Sequence, residues 1–141
     1  MKKQVRITVK GFRTEGEEPP QETELITDGD YYYKNGTHYI TYKESALTGM
    51  EGTSTTIKAD GECVTVMRFG KNNSQFVFAP GKQHVGHYQT EYGTFLTRVT
   101  PGEMEVSLGD AAGSVKVGYL LDFAGQVSEN YFEMTYEQCD K

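Results

Sequence analysis

The chain has 141 residues, of which 36% are hydrophobic, and it carries a formal net charge of −6. This length predicts a single domain spanning residues 1–141, and the low hydrophobic share is typical of a thin sheet wall with one solvated face. The acidic balance lacks the dominant basic face of nucleic-acid binders, and no apolar run approaches membrane-spanning length, so we expect neither a nucleic-acid nor a membrane partner.

Short runs of alternating apolar and polar residues fill the chain almost from end to end. In the first run Val5, Ile7 and Val9 share one face while Arg6 and Lys10 share the other, which is the period-two pattern of a strand. No stretch of ten residues has apolar side chains at helical spacing. The alternation predicts strands at residues 4–13, 22–28, 30–34, 37–44, 53–59, 62–69, 74–79, 84–90, 94–100, 103–108, 114–123 and 127–137.

Glycine and proline separate these runs. Gly29 interrupts two runs that can form one strand with a bulge. Asn35-Gly36 predicts a type I′ hairpin turn, because both central residues of that turn need positive φ. Pro101-Gly102 predicts another turn between two later runs.

Sequential hairpins with short turns predict an all-β antiparallel meander. A sheet of roughly 8–12 strands usually curls until its edges meet, so we expect a closed barrel, with a two-sheet sandwich as the alternative. The chain ends support closure, because Arg6 and Lys10 of the first run complement Glu133 and Glu137 of the last.

Residues 45–52 are expected to form a flexible loop with one helical turn. The residues expected to face inward are Val5, Ile7, Val9, Val115, Val117, Tyr119 and Leu121.

Four short motifs follow one another in the order found in a known family. They are Asp28-Gly29-Asp30-Tyr31, residues 39–44, Arg68-Phe69-Gly70 and residues 88–94. In their order and spacing the chain resembles the bacterial YwiB-like family of small proteins of unknown function, over nearly its whole length. The resemblance implies a calycin-like β-barrel, similar to lipocalins and fatty-acid-binding proteins, and it implies no activity. Because the chain has no Trp, it lacks the Gly-x-Trp signature of true lipocalins, and lipocalin ligand transport is not implied.

Residue types that carry catalysis or bind metals are sparse. The histidines are His38, His84 and His87, and since His84 and His87 are three residues apart they face opposite sides of a strand and cannot bind one metal. No phosphate-binding loop or nucleophile motif is present, so we expect no enzyme, no metal and no cofactor. Cys63 and Cys139 are the only cysteines, and without a visible export signal we expect two free thiols and a cytoplasmic protein.

A candidate ligand site follows from strand direction. In a meander the runs 37–44, 62–69 and 84–90 point the same way, so their last residues lie at one rim. With Tyr119 from the inward face of a later run, the candidate ligand-binding residues are Tyr42, Glu44, Arg68, Tyr88, Thr90 and Tyr119. The planar fork of Arg68 suits a carboxylate or phosphate. Alternatively, Arg68 closes an internal network with Glu44 or a tyrosine that plugs the barrel.

These features lead to two main hypotheses about function. The first is a non-catalytic barrel whose interior binds a small anionic or amphipathic ligand, either hydrophobic or acidic. The alternative is a barrel packed shut by its own side chains, which serves as a protein-interaction module or a homodimer. An enzyme working in the barrel mouth is a third class, which a strongly perturbed pKa in a cleft would favour.

Overall fold

The computed structural model describes residues 2–45, 51–71 and 73–139, and within these ranges every regular element is a β-strand. The strands are β1 (Lys3–Thr14), β2 (Gln21–Lys34), β3 (Thr37–Lys43), β4 (Thr53–Ala59), β5 (Val64–Gly70), β6 (Ser74–Phe78), β7 (His84–Thr90), β8 (Gly93–Leu108), β9 (Ala112–Phe123) and β10 (Gln126–Gln138). The helical turn predicted for residues 45–52 falls largely on residues 46–50, which lie outside the described residues.

The strands form one antiparallel sheet in the order β6-β5-β4-β3-β2-β1-β10-β9-β8-β7. The first strand therefore pairs with both β2 and the last strand, and Ile7 lies opposite Thr27 on one side and Tyr136 on the other. This pairing confirms the predicted barrel and excludes the two-sheet sandwich. At the remaining edge β6 and β7 lie side by side, joined by the pair Asn73 and Gln89 with N–O distances of 2.8 and 2.7 Å, so the barrel is nearly closed.

The predicted charge complementarity between the first and last strands is present in the register. Arg6 lies opposite Glu137, and Lys10 lies opposite Glu133. The ion pair of Lys10, however, reaches the other neighbouring strand, where its Nζ is 3.8 Å from a Glu24 carboxylate oxygen. Since both groups of this pair are largely solvated, it contributes little to stability.

Two of the predicted runs merge at Gly29 into the single strand β2. The register between β1 and β2 is unbroken along the whole ladder, so the predicted bulge is wrong. A Cβ at Gly29 would lie 2.3 Å from the Thr41 carbonyl oxygen and 2.5 Å from Ile7 Cδ1. The glycine is therefore required by close packing within the barrel wall.

The turn predicted at Pro101-Gly102 is also wrong, because both residues lie inside β8. The register between β8 and β9 shifts by one residue between Pro101 and Met104, which is a β-bulge. Bulges accept proline because the ladder is locally interrupted there. The extra residue switches the inward positions from odd to even numbers, so that Val99 is buried and Met104 packs against the core.

Side chains from almost every strand fill the middle of the barrel. All seven residues predicted to face inward contribute: six are buried, and Tyr119 is partly buried against the core. The buried apolar residues are Val5, Ile7, Val9, Leu25, Tyr31, Ile40, Tyr42, Ile57, Ala59, Val64, Val66, Phe76, Phe78, Val99, Val115, Val117, Leu121, Phe132, Met134 and Tyr136.

Two further expectations concern the thiols and the membrane. Cys63 and Cys139 are both free, as predicted. No helix long and apolar enough to cross a membrane occurs in the part of the chain that the structure describes.

Candidate functional site

One end of the barrel collects the ends of β3, β5 and β7, and we call this end the mouth. Strand direction places Tyr42 and Arg68 there, as predicted, and Glu44 directly follows β3. Thr55 lies opposite both Tyr42 and Arg68 in the ladders. Arg68 in turn lies opposite Ser74. Tyr42, Thr55, Arg68 and Ser74 thus form a row across β3, β4, β5 and β6, which we call the mouth row.

The Glu44 carboxylate is buried against this row. Thr55 donates a hydrogen bond to Glu44 Oε2, and Arg68 Nε is 3.8 Å from the same oxygen. The side chain of Glu44 is 1% exposed and that of Arg68 is 13% exposed. A buried carboxylate requires such partners, so the internal Arg68–Glu44 pair considered from the sequence is present.

Three polar atoms of the mouth row make no hydrogen bond of normal geometry among the described residues, although the Tyr42 hydroxyl lies close enough to Thr55 and Glu44 for both to affect its pKa. They are the Tyr42 hydroxyl, Arg68 Nε and the Ser74 hydroxyl, and all three are buried. Tyr42 is 2% exposed and Ser74 is 8% exposed. Most buried side-chain polar groups in proteins are hydrogen-bonded, and an unsatisfied one costs about 1–3 kcal/mol. The side chains of the described residues therefore leave the hydrogen bonding of the row incomplete.

A pocket of about 250 Å³ opens beside the mouth row, and we call it the mouth pocket. Four of the six predicted site residues line it, namely Tyr42, Glu44, Arg68 and Tyr119. Arg13 adds a second guanidinium, and Val9 and Phe132 form an apolar wall. An apolar surface with a few convergent polar groups is the usual composition of a small-molecule site.

Burial raises the pKa of the tyrosine hydroxyls at the mouth. For Tyr42 the largest cause is burial, and the neighbouring Glu44 carboxylate raises the pKa further. For Tyr119 burial also raises the pKa, while the nearby Arg68 and Arg13 oppose the change. Both hydroxyls therefore stay protonated well above neutral pH and can donate a hydrogen bond to an acceptor in the pocket.

The other two predicted residues, both on β7, are not part of the pocket lining. Tyr88 packs between Phe76 and Phe123, with ring centroids 6.4 and 5.5 Å from its own. Thr90 belongs to the turn after β7, where its hydroxyl accepts a hydrogen bond of 3.1 Å from the Tyr92 N–H. Tyr88 thus lies outside the mouth pocket, although Arg68 and Glu44 are near enough to affect the pKa of its hydroxyl, and Thr90 lies next to a turn.

Three residues of the site were not singled out from the sequence: Thr55, Ser74 and Arg13. Each lies on the inward face of its strand, and Arg13 shares that face with Val9. The alternation therefore contained a signal for all three. What it could not supply is the cross-strand register that makes Thr55 and Ser74 direct neighbours of Arg68.

The described residues of the mouth do not form a metal centre. In the described ranges no group of three or more His, Cys, Asp or Glu side chains could hold a metal ion. At the opposite end of the barrel His38 Nδ1 is 2.8 Å from the Tyr31 hydroxyl, a hydrogen bond within the core wall.

Comparison with known proteins identifies a family. Residues 7–134 match the model of a domain of unknown function, DUF1934. The chain belongs to this family. Its structure is similar to the crystal structure of the ywiB protein from Bacillus subtilis, with a TM-score of 0.87 and 21% sequence identity over 99% of this chain and 94% of that chain. No curated protein sequence matches the chain.

These matches confirm the resemblance to a YwiB-like family of unknown function and the barrel that it implied. At 21% identity the likeness to the ywiB protein is one of fold. Because DUF1934 carries no assigned function, the chemistry of the mouth has to be argued from its own geometry.

Proposed function

We propose that this protein is a non-catalytic binding protein whose mouth pocket holds one small ligand with an acidic group. The observation that carries the proposal is the incomplete mouth row. Among the described residues the Tyr42 hydroxyl and Arg68 Nε are buried without a hydrogen-bond partner, although Nε lies 3.8 Å from Glu44 Oε2, and both residues line an open pocket. An acidic ligand brings acceptor oxygens that can receive hydrogen bonds from such donors.

The lining groups divide between an acidic head and an apolar body. Arg68 supplies a positive charge and Tyr42 a neutral hydroxyl donor for a carboxylate. Glu44 holds the arginine from the buried side, and Val9 and Phe132 offer apolar contact. A volume of about 250 Å³ is below the roughly 300–1,000 Å³ of pockets for drug-sized ligands, which favours a small metabolite.

The packed middle of the barrel supports a second candidate, a protein-interaction module or homodimer that holds no ligand. Large core side chains such as Tyr31, Phe78 and Met134 occupy the centre. In this case Arg68 and Tyr42 only fill the mouth with packed side chains. Removing the Tyr42 hydroxyl would then change stability without changing the affinity for any acid.

The substitution Tyr42→Phe separates these candidates, because it removes the unpartnered hydroxyl and keeps the ring. We expect unchanged or increased stability, by up to about 1 kcal/mol, since an unsatisfied buried group is lost. We expect the affinity for short carboxylic acids to fall about five- to tenfold, since a ligand hydrogen bond is lost. Thermal unfolding measures the first effect, and calorimetric titration with a panel of short carboxylic acids measures the second.

Tyr136→Phe is the matched control at the opposite end of the barrel. The Tyr136 hydroxyl donates a hydrogen bond of 2.6 Å to the Gly109 carbonyl oxygen, so its removal should lower stability by about 1 kcal/mol and leave carboxylate affinity unchanged. The proposal is wrong if no acid of the panel binds the wild type. It is also wrong if Tyr42→Phe destabilises as Tyr136→Phe does while binding stays intact.

A further inference from the structure

A second guanidinium lies at the mouth pocket. Arg13, near the end of β1, is opposite Gln21 of β2 and has the inward orientation of Val9. It lines the mouth pocket together with Arg68. The pocket is therefore bounded by two cationic side chains, one from β1 and one from β5.

Tyr119 lines the same pocket as the two cations. Arg68 and Arg13 are both near enough to lower the pKa of its hydroxyl, against the effect of burial. Since β2, β3 and β4 separate β1 from β5 in the sheet, the two guanidiniums approach Tyr119 from different parts of the mouth. The pocket thus offers two separate positions for anionic groups.

The two cations differ in how firmly they are held. Arg68 is largely buried and lies against the buried Glu44 carboxylate. Arg13 is 45% exposed, and its Nη2 is 2.8 Å from Glu15 Oε2, only two residues along the chain. An exposed ion pair of this kind contributes little. An incoming acid group can therefore replace Glu15 on Arg13.

We propose, building on the proposed function of the mouth pocket, that its ligand is a short dicarboxylate. One carboxylate binds at Arg68 and Tyr42, and the other binds at Arg13. The apolar wall of the pocket contacts the methylene chain between the two acid groups. Both ends make charge-assisted hydrogen bonds, which are stronger than neutral ones.

The test compares glutarate and adipate with valerate and hexanoate, the monoacids of the same chain lengths, at fixed pH and ionic strength. The wild type should bind each diacid at least about tenfold more tightly than its matched monoacid, the effect of one charge-assisted contact. Arg13→Gln should remove the preference for diacids, so that each diacid binds about as tightly as its matched monoacid. Glu15→Gln, which frees Arg13, should raise diacid affinity about two- to fivefold.

Arg6→Gln is the control for the loss of one positive charge. Arg6 lies on the outer wall, where its Nε is 3.7 Å from Asp28, and its loss should change neither affinity. Equal binding of diacids and monoacids by the wild type, or a diacid preference that survives Arg13→Gln, overturns the dicarboxylate inference and leaves the proposed function standing. Failure of both acid classes to bind overturns the two together.

Discussion

At the mouth Arg68 forms an ion pair with the buried Glu44 carboxylate and also lines the open mouth pocket. Removing one member of a buried ion pair destabilises a protein more than replacing both members by apolar residues, because the remaining charge is left uncompensated. Glu44, to which Thr55 donates a hydrogen bond, would then lose its cationic neighbour. The residue that we assign to ligand binding therefore also stabilises the fold.

We predict that Arg68→Ala lowers the free energy of unfolding by about 3–5 kcal/mol, since it removes the cation beside the buried Glu44 carboxylate. Arg6→Ala removes an exposed cation 3.7 Å from Asp28 and should change stability by less than about 1 kcal/mol. Urea denaturation measures both variants. The double variant Arg68→Ala/Glu44→Gln should recover part of the loss, and equal stability of the two single variants would contradict the importance of the buried pair.

Single residues of the site were predictable where local geometry decides their orientation. Tyr42, Glu44 and Arg68 follow from alternation and from the common direction of β3 and β5. The same alternation applies to Thr90, but this residue lies next to a tight turn, where its hydroxyl forms hydrogen bonds with the backbone. Ser74 was missed because its position beside Arg68 depends on register.

At the scale of strands, the seam between β6 and β7 is the weakest lateral contact of the barrel. Backbone hydrogen bonds join these strands at Asn73 and Gln89, whereas β1 is paired with a strand on each side. Strand β6 has only five residues, and a short strand limits the length of exposed edge. Local opening of the barrel should therefore begin at this seam.

We predict that the amide hydrogens of Gln75, Val77 and Val85 exchange on the order of a hundredfold faster than those of Ile7 and Val9. The first three have no strand partner across the seam in the described structure, whereas Ile7 and Val9 lie in the doubly paired β1. Native-state hydrogen exchange followed by NMR resolves the individual amides. Equal protection of both groups would mean that the seam is hydrogen-bonded in solution.

At the scale of the whole molecule, buried tyrosines link stability to alkaline pH. Burial is the main cause that raises the pKa of Tyr136 from 10.0 to about 12, and it also raises the pKa values of Tyr42 and Tyr119 at the other end of the barrel. In its protonated form the Tyr136 hydroxyl donates to the Gly109 carbonyl oxygen. The folded barrel therefore binds these phenolic protons more tightly than the unfolded chain does.

We predict that the free energy of unfolding falls as pH rises from about 10, the phenolic pKa of the unfolded chain. A raised folded-state pKa contributes stability that is fully present below the unfolded pKa and lost as pH approaches about 12 for Tyr136. Urea denaturation between about pH 8 and pH 11.5, with phenolate absorbance recorded in parallel, measures the decline. Tyr136→Phe should show a shallower decline, and an identical slope would contradict the role of this residue.

The sequence by itself determined the fold class and the inward faces of the strands. Alternation in the first and last runs orients Val5, Ile7, Val115 and Val117 without any knowledge of their neighbours, because side-chain direction in a strand is a local property. Short glycine-containing turns such as Asn35-Gly36 then made a meander, and a long meander closes to remove its edges.

Tertiary structure alone decided the strand count, the register and the state of the mouth. Gly29 and Pro101 look like breaks in the sequence, because glycine and proline usually interrupt strands. In the folded barrel each of them lies inside a continuous strand. Gly29 does so because it packs against Thr41, and Pro101 does so because a bulge follows it. Which polar groups of the mouth row find partners is likewise set by contacts between strands that are distant in the chain. The sequence could therefore place Tyr42 and Arg68 at one end of the barrel, but only the assembled barrel shows which donors there lack a hydrogen-bond partner among the described residues.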